Sequence, residues 1–178
     1  MNAYAVELQT LSIGLLLVRL VVGLAMAAHG TQKLWGRLGG YGLNKTGEFF
    51  VNLGYRPGRT FAALASVGEI TSGLLVALGS FGAAGPALMI SVMIAAMITV
   101  HWERGLFAST NGVELPLLYI AAALVITLAG YGQYSLDARF GIAVFWTPTV
   151  TWVALGMGVL GGLANVAIRR SWTTPAGS

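Results

Sequence analysis

Two charged side chains stand where charge is least expected. Arg19 interrupts the apolar run Leu15-Leu16-Leu17-Val18-Arg19-Leu20-Val21-Val22, and Glu69 interrupts a second run that opens near Thr60. A charge inside a bilayer is costly unless it is paired or hydrated, so each asks for a partner. If the first run ends near Gly30 and the second begins near Thr60 on the same side, Arg19 is eleven residues deep and Glu69 about nine. At 1.5 Å per residue these depths are roughly 16 and 13 Å. The depths agree, and an Arg19 to Glu69 ion pair facing the bundle interior is the expectation. Ser66, Glu69, Ser72 and Gly73 share one helical face, which gives the second run a polar, small-residue stripe suited to that interior. A pair that only fixes helix register would satisfy the same pattern.

More chemistry gathers at the end of the first run, in the polar turn His29-Gly30-Thr31-Gln32-Lys33, and His101 closes the third run at the same face. A guanidinium can stabilise developing negative charge, a buried carboxylate can relay a proton, and imidazole can act as a general acid near neutrality. The candidate catalytic set is therefore Arg19, Glu69, His29 and His101. Gln32, Lys33, Met97 and Glu114 are the candidate binding residues around it. Met89, Met93, Met97 and His101 recur every four residues; adaptable packing is the ordinary use of such a stripe, and an apolar ligand pocket is the other. Glu114 in the first turn of a helix suits the positive end of the helix dipole, or else it joins Lys33, His29 and His101 in one cluster. No metal site is expected. Haem between the two histidines is disfavoured, because histidines at helix ends are ordinarily polar caps.

The elements that must position these groups are membrane helices. Of 178 residues, 56% are hydrophobic and 9% charged, against about 25% charged in soluble domains. The absence of cysteine removes thiolate chemistry and cysteine-ligated clusters, and the +4 net charge forms no run that would point to nucleic acid. Apolar spans fall at about 11–30, 60–80, 84–102, 115–132 and 149–168, each near the roughly 20 residues that cross a bilayer. The first span has no basic leader segment and carries Arg19 within it, so it reads as a retained helix rather than a signal peptide. If the spans alternate, Lys33, Arg37, Lys45, Arg56, Arg59, Arg104, Arg169 and Arg170 share one side and Arg139 the other. That bias places the N-terminus outside and the C-terminus in the cytoplasm.

The long loop 31–59 should hold structure of its own. Its segment 46–54 predicts a short helix capped by Thr46 or Asn44, with Phe49, Phe50 and Leu53 as an apolar side, lying either on the membrane surface or as a lid over a cavity. Gly39-Gly40 and Arg56-Pro57-Gly58 are turns, and Pro86 suits the start of the third span. Tyr131, Tyr134, Trp146 and Trp152 fit one aromatic belt; Trp35, Trp102 and Trp172 fit the other. In the fifth span, Gly158 and Gly162 form a packing face for the bundle or for another subunit.

Taken together, Arg19, His29-Gly30-x-Gln32-Lys33-Leu34, the glycine-rich turn before Phe49-Phe50, Gly68-Glu69, Asn111-Gly112-x-Glu114 and Ser135-Leu136-Asp137 resemble the DoxX family of small bacterial membrane proteins over about residues 10–140. The resemblance implies a four-helix membrane bundle, related to the membrane subunit of thiosulfate:quinone oxidoreductase. It also implies a setting in the bacterial cytoplasmic (inner) membrane near redox and thiol-stress complexes. The fold expected is thus an all-α membrane protein: a DoxX-like four-helix transmembrane bundle over 1–140, and over 141–178 an added fifth transmembrane helix with a short basic tail. A short interfacial helix lies in the first cytoplasmic loop.

The expected function is that of a redox-associated subunit. Its polar pocket between the first four helices would hold a quinone or another small molecule, with electrons arriving from a partner because no cysteine or flavin motif is present. The alternatives are a carrier for a small anion or weak acid, with Arg19 as substrate partner, and a non-catalytic scaffold. Expected partners are membrane lipid and either other proteins or a second copy docked through helix five at Gly158 and Gly162, with no nucleic acid.

Overall fold

A computed structural model describes residues 3–169. Two expectations, Arg170 in the basic tail and Trp172 in the aromatic belt, lie outside the described residues. The described chain is helical throughout: α1 (Ala3–Trp35), α2 (Gly42–Asn52), α3 (Gly58–Leu78), α4 (Ala84–Ala96), α5 (Glu114–Ala129), α6 (Leu136–Phe140) and α7 (Pro148–Ala167). A π-helical turn, Met97–His101, and a 3-10 turn, Trp102–Arg104, prolong α4. The protein is an all-α membrane protein. Among the described residues, four helices are long and apolar enough to cross a membrane: α1, α3, the extended α4 and α7. The helix expected over 115–132 is present as α5 but has only 16 residues, short of the roughly 20 a bilayer asks for.

Local sequence explains where the helices stop. Gly79 ends α3 in the left-handed region at φ 62°, which a side chain would strain. Ser135 caps α6 by accepting from the Ala138 N–H, and Thr147 caps α7 ahead of Pro148. The predicted helix near 46–54 begins earlier, at Gly42, and has no side-chain cap. Thr46 instead donates its hydroxyl to Gly42 O at 2.8 Å, inside the helix.

Antiparallel α1 and α3 form the principal packing pair, α4 lies against α3, and α7 and α5 pack on other sides of α4. Met26, Val76, Met89, Ile90, Met93, Ile94, Ala123, Ile126 and Leu155 fill the space between them. Small residues let the backbones approach, as expected where lipid supplies no hydrophobic drive between helices. A Cβ on Gly23 would stand 2.5 Å from Gly73 O, and one on Gly30 2.5 Å from Ser66 O. The segment 29–33 is therefore not a turn: α1 runs through it to Trp35, and Gly30 is there for the contact with α3. The same holds for α7. Carbon at Gly158 would collide with Ala87 O, and at Gly162 it would meet Ser91 O at 2.7 Å. These two glycines seat α7 on α4 within one chain, the bundle-packing use of the two expected for them.

Candidate functional site

The α1/α3 register decides which charges meet. Gly30 is level with Ser66 to Ile70, Gly23 with Gly73 and Ala77, and Arg19 with Gly79. Arg19 and Glu69 are thus about ten residues apart along the bundle axis, roughly 15 Å, and the expected pair does not form. The sequence estimate took Gly30 as the membrane-side end of α1, whereas the helix continues five residues further.

Each charge has found another partner. Arg19, 1% exposed, spreads its fork over two carbonyls, donating from Nη1 to Tyr131 O and from Nη2 to Tyr134 O at 2.8 Å. Its Cζ also stands 5.7 Å from the Tyr131 ring centroid. Beside it, buried Asp137 accepts from Phe81 N at 2.8 Å and Gly82 N at 2.6 Å, and Tyr131 donates its hydroxyl to Gly82 O. Burial pushes the Tyr131 phenol well above its ordinary range, Asp137 adds to this, and Arg19 opposes it. These contacts tie α1, the α3/α4 turn and the loop after α5 together. Every group but Arg19 Nε is spent on protein partners, so this end reads as a clasp.

Glu69 pairs instead with Lys33, through Nζ and Oε1. The carboxylate is 1% exposed and the ammonium side chain 34%, so the pair runs from the interior to the surface. Glu69 Oε2 is buried with no hydrogen-bond partner. A buried oxygen of an ion pair left unmatched is expensive, and among the described residues no protein group serves it.

This pair lies in the wall of a cavity of about 320 Å³ at the basic end of the bundle, within the range of small-molecule sites. Phe49 and Phe50 of α2, with Leu53 just after it, roof it; Leu64, Ala65 and Gly68 of α3 and Leu88, Val92, Ala95 and Ala96 of α4 make its apolar walls. α2 covers the cavity, as the lid reading of the loop helix expects. Polar groups enter at Thr46, Tyr55, Ser91, Thr99, His101 and Asn165. Tyr55, 2% exposed, stacks between Phe50 and Phe61 at centroid separations of 5.5 and 5.1 Å. Its hydroxyl donates to Asn165 Oδ1 of α7 at 2.9 Å. Burial raises the Tyr55 phenol above its usual range, although the Arg169 charge and Thr99 pull it back, so the phenol keeps the proton it donates. The π-helical turn supplies Thr99, Val100 and His101; such widened turns are rare and recur at functional sites.

The remaining candidates divide. His101 lines the cavity and its Nδ1 lies 2.7 Å from Asn111 O. His29 is exposed on α1 with its ring edge-on to Tyr119 at 6.1 Å, outside the cavity. Gln32 donates to Leu38 O at 2.7 Å and fastens the loop after α1. Glu114 accepts from Ala108 N at 2.7 Å and closes its own loop, apart from Lys33. Met97 opens the π turn but does not line the cavity, and Met89 and Met93 belong to the core. Tyr55 and Asn165 were not foreseen; an asparagine in an otherwise apolar span was the available signal.

Compared with protein-family models, residues 14–102 match DoxX, half of the chain. The chain belongs to the DoxX family. The match runs from α1 to Trp102 and so takes in Arg19, Lys33, α2, Glu69 and the π turn, while the DoxX match leaves out Asp137 and the whole of α7. Neither the comparison with curated proteins nor that with solved structures finds a match.

Proposed function

We propose that this DoxX protein is a redox-associated subunit of a membrane complex and that the cavity beneath α2 holds a quinone. The observation that carries this reading is an apolar chamber with one buried ion pair in its wall and an unused carboxylate oxygen, Glu69 Oε2. A quinone needs the same arrangement: a flat apolar slot, and at its head a group that can take part in a hydrogen bond and hold a proton. Such a ring supplies two-electron, two-proton chemistry, which a chain without cysteine does not provide by itself.

The protein's own residues have separable tasks. The aromatic roof of Phe49 and Phe50 and the small-residue wall at Ala95, Ala96 and Gly68 exclude water and fix the plane of a ring. Glu69 holds a proton at Oε2 when one arrives, and Lys33, a third exposed, connects it to water and balances its charge. Asn165 fixes the Tyr55 hydroxyl. Arg19, assigned to the reaction from sequence, belongs to the opposite end of the bundle and serves its architecture. Electrons come from a partner protein, so the chain is a subunit. The basic end, with Lys33, Arg37, Lys45, Arg56, Arg59 and Arg104, faces the cytoplasm of a bacterial inner membrane by the positive-inside rule.

The test is saturable binding of a short-tailed quinone to the detergent-purified protein, read by quenching of tryptophan fluorescence. Wild type should bind, and Ala95→Trp, which fills the chamber, should lose at least tenfold in affinity. Equal binding by both would place the quinone elsewhere and end the proposal.

A further inference from the structure

The donors and acceptors around the cavity are not balanced. Thr46 gives its proton to Gly42 O, Thr99 to Ala95 O at 2.7 Å, and Tyr55 to Asn165 Oδ1. A hydroxyl whose proton is committed still has lone pairs, so toward a ligand these three oxygens are acceptors. Glu69 is a stronger case. Paired with an ammonium through Oε1, its carboxylate is acceptor-only, and Oε2 has nothing to accept from. Oε2 is itself buried, and rotation about the terminal bond of a glutamate is broad; as the carboxylate turns, one oxygen meets a molecule in the cavity whose wall Glu69 forms while the ammonium of Lys33, with three donors, keeps the other. The donors left open are Lys33 Nζ, which is a third exposed and can be served by water, and Asn165 Nδ2; Ser91 and His101 can act either way.

We infer that this cavity selects a hydroxyl donor, holding the dihydroxy (quinol) form of an aromatic ring more tightly than the dicarbonyl form of the same ring. This rests on the quinone reading above and sharpens it. A ring hydroxyl satisfies Glu69 Oε2 with a charge-assisted hydrogen bond, while a ring carbonyl brings a second acceptor against it. By linkage, preferential binding of the reduced form raises the midpoint potential of the bound couple, by about 30 mV for each tenfold preference in a two-electron couple. The site therefore favours keeping the ring reduced, as a reservoir or as the place from which a partner collects the quinol.

The experiment compares three ligands of one shape on wild-type protein under anaerobic conditions: a short-tailed hydroquinone, its quinone, and its dimethyl ether, which keeps the ring but has no donor. The hydroquinone should bind at least tenfold more tightly than the other two. In Glu69→Gln the preference should fall to within about threefold, because an amide presents both a donor and an acceptor. Thermal unfolding of the variant checks that it is folded, and the wild-type series decides the matter by itself if it is not. Equal affinity for the three ligands, or tighter binding of the quinone, overturns the donor selectivity while leaving the cavity as a binding site. Binding of none of the three overturns the selectivity and the quinone reading together.

Discussion

Replacing Arg19 gives a direct way to ask which charges this fold couples. In Arg19→Met the carbonyls of Tyr131 and Tyr134 lose their donors. A hydrogen bond to a charged group contributes about 1.5–3 kcal/mol. Two such bonds, less what water recovers at a helix end, give a loss of about 3–5 kcal/mol, as for other broken buried charge arrangements. Arg19→Lys should recover only part of this, since one ammonium does not reproduce a fork aimed at two carbonyls. The sharper reading comes from double-mutant cycles. With about ten residues of bundle axis between them, Arg19→Met and Glu69→Gln should add within about 0.5 kcal/mol. Lys33→Met and Glu69→Gln share a bond and should couple by about 1 kcal/mol or more, the exposure of Lys33 keeping the figure modest. Reversible unfolding in mixed micelles, followed by circular dichroism against the mole fraction of denaturing detergent, measures all of these. Coupling above about 1 kcal/mol between Arg19 and Glu69 would refute the register from which the site is built.

Three more outcomes follow from single contacts. Gly158→Leu, which drives carbon into Ala87 O, should destabilise the protein by about 2 kcal/mol or more and leave its oligomeric state in sedimentation unchanged. Asn165→Leu removes the acceptor of Tyr55 and should cost about 1 kcal/mol while weakening ligand binding in the cavity; unchanged affinity would separate α7 from the site. Burial raises the Tyr131 phenol above its unfolded value, so its contribution to stability is complete below about pH 10 and is lost as pH rises through the folded value. Unfolding measured from pH 8 upward should show a steeper alkaline loss for wild type than for Tyr131→Phe, and parallel curves would contradict this.

The helical spans were legible because apolar runs of membrane length leave few alternatives. The stripe Ser66, Glu69, Ser72 was legible as well, and all three side chains are buried. What the sequence could not supply was axial register. Gly30 looked like the end of a span when it is a close-packing contact inside a helix that continues to Trp35. That misreading shortened α1 and brought Arg19 level with Glu69. Lys33, taken as a loop residue, is a helical side chain that reaches Glu69. Periodicity also could not show that Glu114 serves its own loop, since a first-turn carboxylate fits both uses. The part played by α7 depended on a tertiary contact between Tyr55 and Asn165, 110 positions apart in sequence. No local pattern encodes such a pair.

The claim at the centre is that a ring-shaped ligand sits beneath α2 beside Glu69. Photolabelling of the purified protein with a short-tailed azidoquinone, followed by peptide mass spectrometry, locates the bound ring. Covalent adducts should fall on 49–55 and 92–101 and be lost in competition with the unlabelled quinone. Adducts spread over the lipid-facing side of α1, or concentrated at 131–146, would contradict the site.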